Sequence, residues 1–218
     1  MITDEEINSA ELTAASLNIK HRILDLDILS YSNVRENSTE RCYHCKTVIL
    51  KEIIKTAAEE GITTILEGSH SGDMNDYRPG MKAIDELGVI SPLKSAGFDK
   101  KNIYELSAFL KLPTSEKESY PCLATRIPYG TPLTAELMKR ADTAEKIIAS
   151  FGFRQIRARL HGDILRIEIS EEMIPEIASH LVRKKVFAEL NKAGFKYITL
   201  DLLGYRTGSM NIVKEEPR

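Results

Sequence analysis

Apolar residues fall at helical spacing most clearly behind Cys42, where Val48, Ile49, Ile53, Ile54 and Ala57 share a face and Gly61 supplies the stop after about Glu60. Other stretches read the same way. Thr3-Asp-Glu-Glu6 has capping-box spacing ahead of Ile7, Leu12, Ala15 and Leu17, and Asp99 or Lys100 leads into Ile103, Leu106 and Leu110. Leu137, Ala141, Ala144, Ile147 and Ile148 predict a helix with Thr131 as N-cap, Pro132 at its first position and Gly152 as its end. A further helix is predicted from about Glu172 to Ala193.

Strand-like stretches alternate with these helices. His21–Ile28 reads as a short strand burying Ile23 and Leu24, and the β-branched run Ile62–Leu66 as a buried parallel strand. Arg154–Leu160 and Ile164–Ile169 alternate apolar and polar around His161-Gly-Asp163, predicting a hairpin with one wet face, and Tyr197–Asp201 closes as a strand. Helix–strand alternation in the first part implies an α/β parallel sheet wound by right-handed crossovers. The later run of hairpin, helix and strand implies a smaller α+β domain. The expected boundary lies near 130–134, giving domains 1–130 and 131–218.

Composition narrows the functional classes. Charge is almost balanced, at a formal −2, without a polybasic tail or basic aromatic stripe, which disfavours nucleic acid as a partner. No apolar run approaches twenty residues and no signal-peptide pattern is present, so neither membrane insertion nor secretion is expected. The three cysteines are an odd number for a disulfide framework, and a reducing cytoplasm fits them best.

Those cysteines carry the strongest chemical signal. Cys42 and Cys45 form a C-x-x-C pair in Glu40-Arg-Cys-Tyr-His-Cys-Lys46, at the entrance of the predicted helix. Cys122 lies in Ser119-Tyr-Pro-Cys-Leu-Ala-Thr-Arg-Ile-Pro-Tyr-Gly130, where Pro121 and Pro128 favour an extended or turning loop. Three thiolates meeting at one site could close a zinc centre with His44 or His70, or hold an iron–sulfur cluster with one iron left open. A redox dithiol and three unrelated buried thiols are the other readings. Arg41, His44, Lys46 and Arg126 are cationic neighbours that would favour thiolate. Spacing puts metal first and does not choose the metal.

Two further clusters stand out. The loop Glu67–Gly80 follows a predicted strand and holds glycines, acids, His70 and Arg78; it is either a solvated surface loop or a site at a strand's carboxyl end. Arg157 and Arg159 are two apart on a strand and so share a face, which Arg166 could join. They read either as an exposed cationic face paired with Glu168 or Glu171, or as an anion clamp for phosphate or carboxylate.

Separated motifs then agree. Asn75-Asp-Tyr-Arg-Pro-Gly80, Pro121–Gly130, Arg157-Ala-Arg-Leu-His-Gly-Asp163 and Leu203-Gly-Tyr-Arg-Thr-Gly-Ser-Met-Asn211, in this order, resemble the LarE family. These are ATP-dependent sulfur transferases of the PP-loop pyrophosphatase superfamily that build the nickel-pincer cofactor. The resemblance implies a partial PP-loop (adenine nucleotide α-hydrolase-like) domain followed by the smaller α+β domain. It implies that ATP with Mg2+ adenylates a carboxylate of a pyridinium mononucleotide, and that sulfur displaces AMP to leave a thiocarboxylate. One branch sacrifices a cysteine sulfur; the other uses three cysteines and a [4Fe-4S] cluster, and Cys42, Cys45 and Cys122 match the latter.

By the same resemblance Cys122, Glu145 and Arg126 are the catalytic candidates. Arg157, Arg159, Arg206 and Glu176 are assigned to a nucleotide-like substrate, with Gly68, Ser69, Asp73 and Asp76 to the activating nucleotide. A homo-oligomer is also implied. The chain departs from the family at one place, because the Ser-Gly-Gly-x-Asp-Ser phosphate loop is not found in these 218 residues. Truncation, a separate chain supplying the loop, and loss of ATP chemistry are the readings of that departure, and ATP binding by the 218 residues alone is expected to be poor. A non-catalytic cluster-binding module and a tRNA thiolation enzyme are the alternative functions.

Overall fold

The computed structural model describes residues 1–75, 78–115 and 120–210. The chain is mixed α/β and divides into two compact units, Asp4–Ser119 and Met1–Thr3 with Tyr120–Arg218. The cysteine loop, expected at the end of the first domain, therefore lies in the second unit. There Arg126 of the loop is bound by Glu145 of the helix that follows, and the Thr125 carbonyl accepts from Arg159.

In the first unit the order is α1 (Asp4–Ser16), α2 (Ser32–Arg35), α3 (Arg41–Glu59), α4 (Gly80–Glu86), α5 (Pro92–Ser95) and α6 (Lys100–Phe109). α3 packs on α4 around Leu50, Ile84 and Val89, with Ile53, Ile54, Ile65, Met81 and Leu87 against them. The apolar spacing behind Cys42 thus builds this core, and Gly61 ends the helix at φ 75°, where a side chain would be strained. α6 starts on a capping box in which Asp99 accepts from the Asn102 N–H and Asn102 accepts from the Asp99 N–H. α1 forms as expected but buries none of its residues, and Leu12 is 72% exposed.

The expected strands of this unit do not form among the described residues. Over 62–66 there is one parallel bridge, Leu66 to Ile90, held by Glu67 N–H to Ile90 O at 2.9 Å and Ile90 N–H to Ile65 O at 3.0 Å. Residues 21–27 are irregular, and Ile23 is exposed rather than buried, while Leu24 is half-buried and Ile28 buried. β-branched composition suits extended backbone, but a strand exists only through a ladder of hydrogen bonds to a neighbour.

In the second unit the order is α7 (Ala135–Ala149), β1 (Arg157–His161), β2 (Ile164–Glu168), α8 (Ile174–Ala178), α9 (His180–Lys192) and β3 (Tyr197–Leu200). β1 and β2 pair antiparallel, with Arg159 opposite Arg166, and β3 joins β2 in parallel, giving the order β1-β2-β3. The parallel pairing requires the crossover that α8 and α9 provide. Ala141, Ala144 and Ile148 of α7 pack with Ala158, Leu160, Leu165 and Ile167 of the sheet and with Val186 and Leu190 of α9.

Several details of this unit differ from expectation. Thr134, not Thr131, caps α7, because its hydroxyl accepts the Leu137 N–H at 3.1 Å. The helix predicted from Glu172 to Ala193 is broken at Ser179, whose ψ of 150° is extended. The hairpin has no wet face on β1, where Arg157 to Leu160 are all buried. An apolar groove of about 460 Å³ is lined by Ile177, Phe187, Ile198 and Leu200 among others, and no candidate site residue lines it.

Candidate functional site

Each unit carries its own part of the candidate chemistry. In the first, Cys42 and Cys45 sit in the opening turn of α3, both half-buried, as the spacing predicts. Three residues apart on a helix, their side chains are neighbours. Arg41 donates from Nη2 to the Cys42 sulfur at 3.4 Å and from Nη1 to Asn37 Oδ1 at 2.6 Å. The first N–H groups of a helix lack intrahelical partners, so this end of α3 favours negative charge.

The loop after residues 62–66 packs against the same turn. Gly80 opens α4, and a Cβ there would stand 3.4 Å from the Cys42 carbonyl oxygen. Lys46 reaches Glu67 Oε2 at 3.6 Å. Glu67 also accepts from Ser69 N–H at 3.0 Å, from Ser69 Oγ at 2.8 Å and from Ser91 Oγ. Burial opposes its charge, but the Ser91 and Ser69 donors and Lys46 outweigh burial and hold its carboxyl below the usual range.

Of the nucleotide candidates, Gly68 is exposed with open space at its Cα, and Ser69 is buried on Glu67. Asp73 is buried, accepts the His70 N–H at 3.1 Å and pairs with Arg78 at 2.9 Å. Asp76 lies outside the described residues. Ser69 and Asp73 thus brace the loop from within. Glu67 opens the loop that the sequence singles out, but its bond to Ser91 joins residues 24 apart in sequence and no motif announces it.

The second unit gathers Cys122, Arg126, Glu145, Arg157 and Arg159. Cys122 is half-buried at the head of a 3-10 turn, Leu123–Arg126. Arg126 is fully buried and forks onto Glu145, from Nε at 2.6 Å and from Nη2 at 3.0 Å, while its Nη1 donates to the Pro121 carbonyl at 3.2 Å. Glu145 also accepts from the Ala158 N–H at 2.8 Å and from the Tyr120 hydroxyl. Burial, then the Glu145 charge, pushes the Tyr120 phenol far above its ordinary value, so it serves as a donor. With its lone pairs so used, Glu145 is the brace that fixes the Cys122 turn to α7 and β1.

Arg159 is anchored in the same way. It donates from Nε at 3.1 Å and Nη2 at 2.9 Å to Glu168 Oε2, and from Nη1 to the Thr125 carbonyl at 2.8 Å. Glu168, fully buried, also accepts from Arg166 at 2.9 Å and Ser209 at 2.8 Å. The cationic face is therefore paired with Glu168 but is interior. Arg157 lies over the rings of Tyr205, at 4.9 Å, and Tyr120, at 5.8 Å. Burial and then the neighbouring Arg126 charge lower its pKa, so an incoming anion would be favoured beside it. Arg206 is exposed and pairs with Asp201 at 3.2 Å, and Glu176 is exposed in the first turn of α8 and makes none of these bonds.

Among the described residues no three His, Cys, Asp or Glu side chains form a ready metal cage. The thiol pair by itself offers two soft donors on one helix face, with a guanidinium N–H on one sulfur. Among the described residues, no helix is long and apolar enough to cross a membrane.

A mixed α/β chain with a cysteine pair heading a helix and a carboxylate-braced arginine bed is the class of protein that these units define. No family model matches the chain. It is 36% identical over 211 residues to the pyridinium-3,5-bisthiocarboxylic acid mononucleotide synthase of Lactiplantibacillus plantarum, covering 97% of this chain and 76% of that protein. An uncharacterized protein of Synechocystis sp. is 32% identical over 209 residues, covering 96% of this chain and 78% of its own length. One from Methanocaldococcus jannaschii is 25% identical over 201 residues, covering 92% and 78%. The chain belongs to the family of that synthase, the LarE family.

Proposed function

We propose that this protein is an ATP-dependent sulfur transferase that converts an AMP-activated carboxylate of a pyridinium mononucleotide into a thiocarboxylate, a step of nickel-pincer cofactor biosynthesis. The observation that carries the reading is the 36% identity to the synthase across 97% of the chain. Adenylation links a carboxylate oxygen to the α-phosphorus of ATP and releases pyrophosphate. Sulfide then forms the C–S bond as the C–O bond to AMP breaks. A PP-loop nucleotide domain, Mg2+ and a homo-oligomer belong to the same proposal.

In this reading Arg157 receives the substrate phosphate, since it is a buried cation held between two aromatic faces, and Arg159 keeps the bed in place through Glu168. Arg126 and Glu145 act by fixing the turn that presents Cys122, so they are positioning residues. Cys42, Cys45 and Cys122 would hold a [4Fe-4S] cluster. Bound there by three thiolates, such a cluster supplies an open iron to carry sulfide.

The test is anaerobic incubation of the iron-loaded protein with ATP, Mg2+, sulfide and the carboxylated pyridinium mononucleotide, read by mass spectrometry. The expected product has sulfur in place of one carboxylate oxygen, with AMP and pyrophosphate released. Hydrolysis of ATP without sulfur in the nucleotide would overturn the proposal.

A further inference from the structure

We propose that residues 21–27 and 62–66 take a further strand between them, parallel to 62–66, and that a strand–loop–helix segment bearing the phosphate-binding loop supplies it. The bridge to Ile90 uses one edge of 62–66 only, through the Ile65 carbonyl and the Glu67 N–H. Successive residues of an extended backbone present their N–H and C=O to alternate sides, so those of Thr64 and Leu66 point away from Ile90. Among the described residues neither has a backbone partner. Burial follows the same alternation. Ile65 packs against the core of α3 and α4, whereas Ile62, Leu66 and Ile90 are 50%, 59% and 47% exposed on the opposite face. Parallel sheets are covered on both faces, so this bare apolar face is built to be covered.

Residues 21–27 form the other side. Leu24 and Leu26 are half-buried and Ile28 is buried, while Ile23, Asp25 and Asp27 are exposed, the period of a strand. Yet Ile23, Leu24 and Asp25 make no backbone hydrogen bond among the described residues. Lys20 and Arg22 both reach Glu60, at 2.5 and 2.8 Å, just ahead of Ile62. The two segments thus start side by side, joined by long side chains rather than by backbone, which admits a strand between them.

The relatives identify the occupant. The chain spans 76%, 78% and 78% of three of them, leaving a similar share of each outside the match. A parallel strand needs a crossover, so an added strand brings a helix that can cover Ile62, Leu66 and Ile90. The turn into that helix lies at the strand's carboxyl end, where helix N–H groups bind phosphate. In parallel register with 62–66 it falls beside the Glu67–Gly80 loop. Its identity as the phosphate loop rests on the proposed ATP chemistry; the pairing rests on the two bare edges.

The experiment is hydrogen–deuterium exchange of the full 218-residue chain, alone and with the part of the Lactiplantibacillus plantarum synthase outside the matched 211 residues. That part is both mixed with the chain and joined to it through a flexible linker. Amides of 21–27 and 62–66 are expected to exchange on the order of a hundredfold more slowly in its presence. Thr64→Pro removes an N–H aimed at the bare edge, so it should abolish most of that protection and leave the melting temperature of the chain alone unchanged. Unchanged exchange in mixture and fusion alike overturns the inference, as does full protection of Thr64→Pro. Protection confined to 62–66 overturns the placement between the two segments. Protection that rises with the concentration of the chain alone would put a second copy on the edge and overturn the assigned occupant. Protection without ATP binding by the assembled pair upholds the pairing and overturns only the phosphate-loop identity.

Discussion

Glu145 and Glu168 each neutralise a buried arginine, and the two pairs differ in what their loss would do. Arg126 has no solvent exposure and Glu145 almost none, so Glu145→Ala leaves a buried, uncompensated guanidinium. A loss of about 3–5 kcal/mol in urea unfolding is expected. Arg159→Ala strips Glu168 of a forked partner and is expected to cost stability, again on the order of 3 kcal/mol. Arg157→Ala is expected to weaken binding of a phosphorylated nucleotide by roughly 1.5–3 kcal/mol, measured by calorimetry. Equal binding by Arg157→Ala and wild type would remove Arg157 from the phosphate site. Glu67 adds a pH dependence of known sign. Its lowered pKa contributes stability that is fully present above the ordinary carboxylate value of 4.5 and is lost as pH falls through the lowered one. Glu67→Gln should flatten this acid limb in thermal melts between neutral and low pH.

Helix starts and turns set the positions of the site at the next scale. α3 brings Cys42 and Cys45 into one turn, and Gly80 lets α4 lie close to the Cys42 carbonyl. α7 depends on Thr134 for its first turn, so Thr134→Ala is expected to cost about 1 kcal/mol by chemical denaturation. The Gly-Tyr-Arg stretch after β3 has a stricter demand. Gly204 has φ 64°, and a Cβ on it would stand 2.7 Å from the Ile169 carbonyl oxygen. Gly204→Ala is therefore expected to destabilise by roughly 1–3 kcal/mol and to shift Tyr205, whose N–H donates to that same carbonyl at 2.7 Å. Unchanged thermal stability in this variant would contradict the close approach.

For the whole molecule, the cluster proposal makes the largest prediction. Anaerobic reconstitution should yield about four irons per chain, and alanine at Cys42, Cys45 or Cys122 should reduce that number sharply. Retention of all iron in Cys122→Ala would assign the metal to the pair with other ligands. A zinc-only protein would instead point to a closed structural site.

Periodicity and motif spacing determined the helices behind Cys42 and Asp99, the hairpin with its Gly162 turn and the thiol pair on a helix start, while four ordered motifs carried the resemblance to the LarE family that the 36% identity shows. Those features are local, or are carried by residues in a fixed order, so a linear reading reaches them. Tertiary structure decided the rest. Ile62–Leu66 has strand composition but only one bridge, because pairing is a property of two segments. Arg157 and Arg159 occupy one strand as the pattern required, yet whether they met water depended on Glu168, Tyr120 and Tyr205, which come from three other parts of the chain. Glu145, a catalytic candidate by resemblance, accepts from Arg126, Tyr120 and the Ala158 N–H, which lie 13 to 25 residues away in sequence. A carboxylate has the same formula whatever surrounds it, and only folding brings these donors around it.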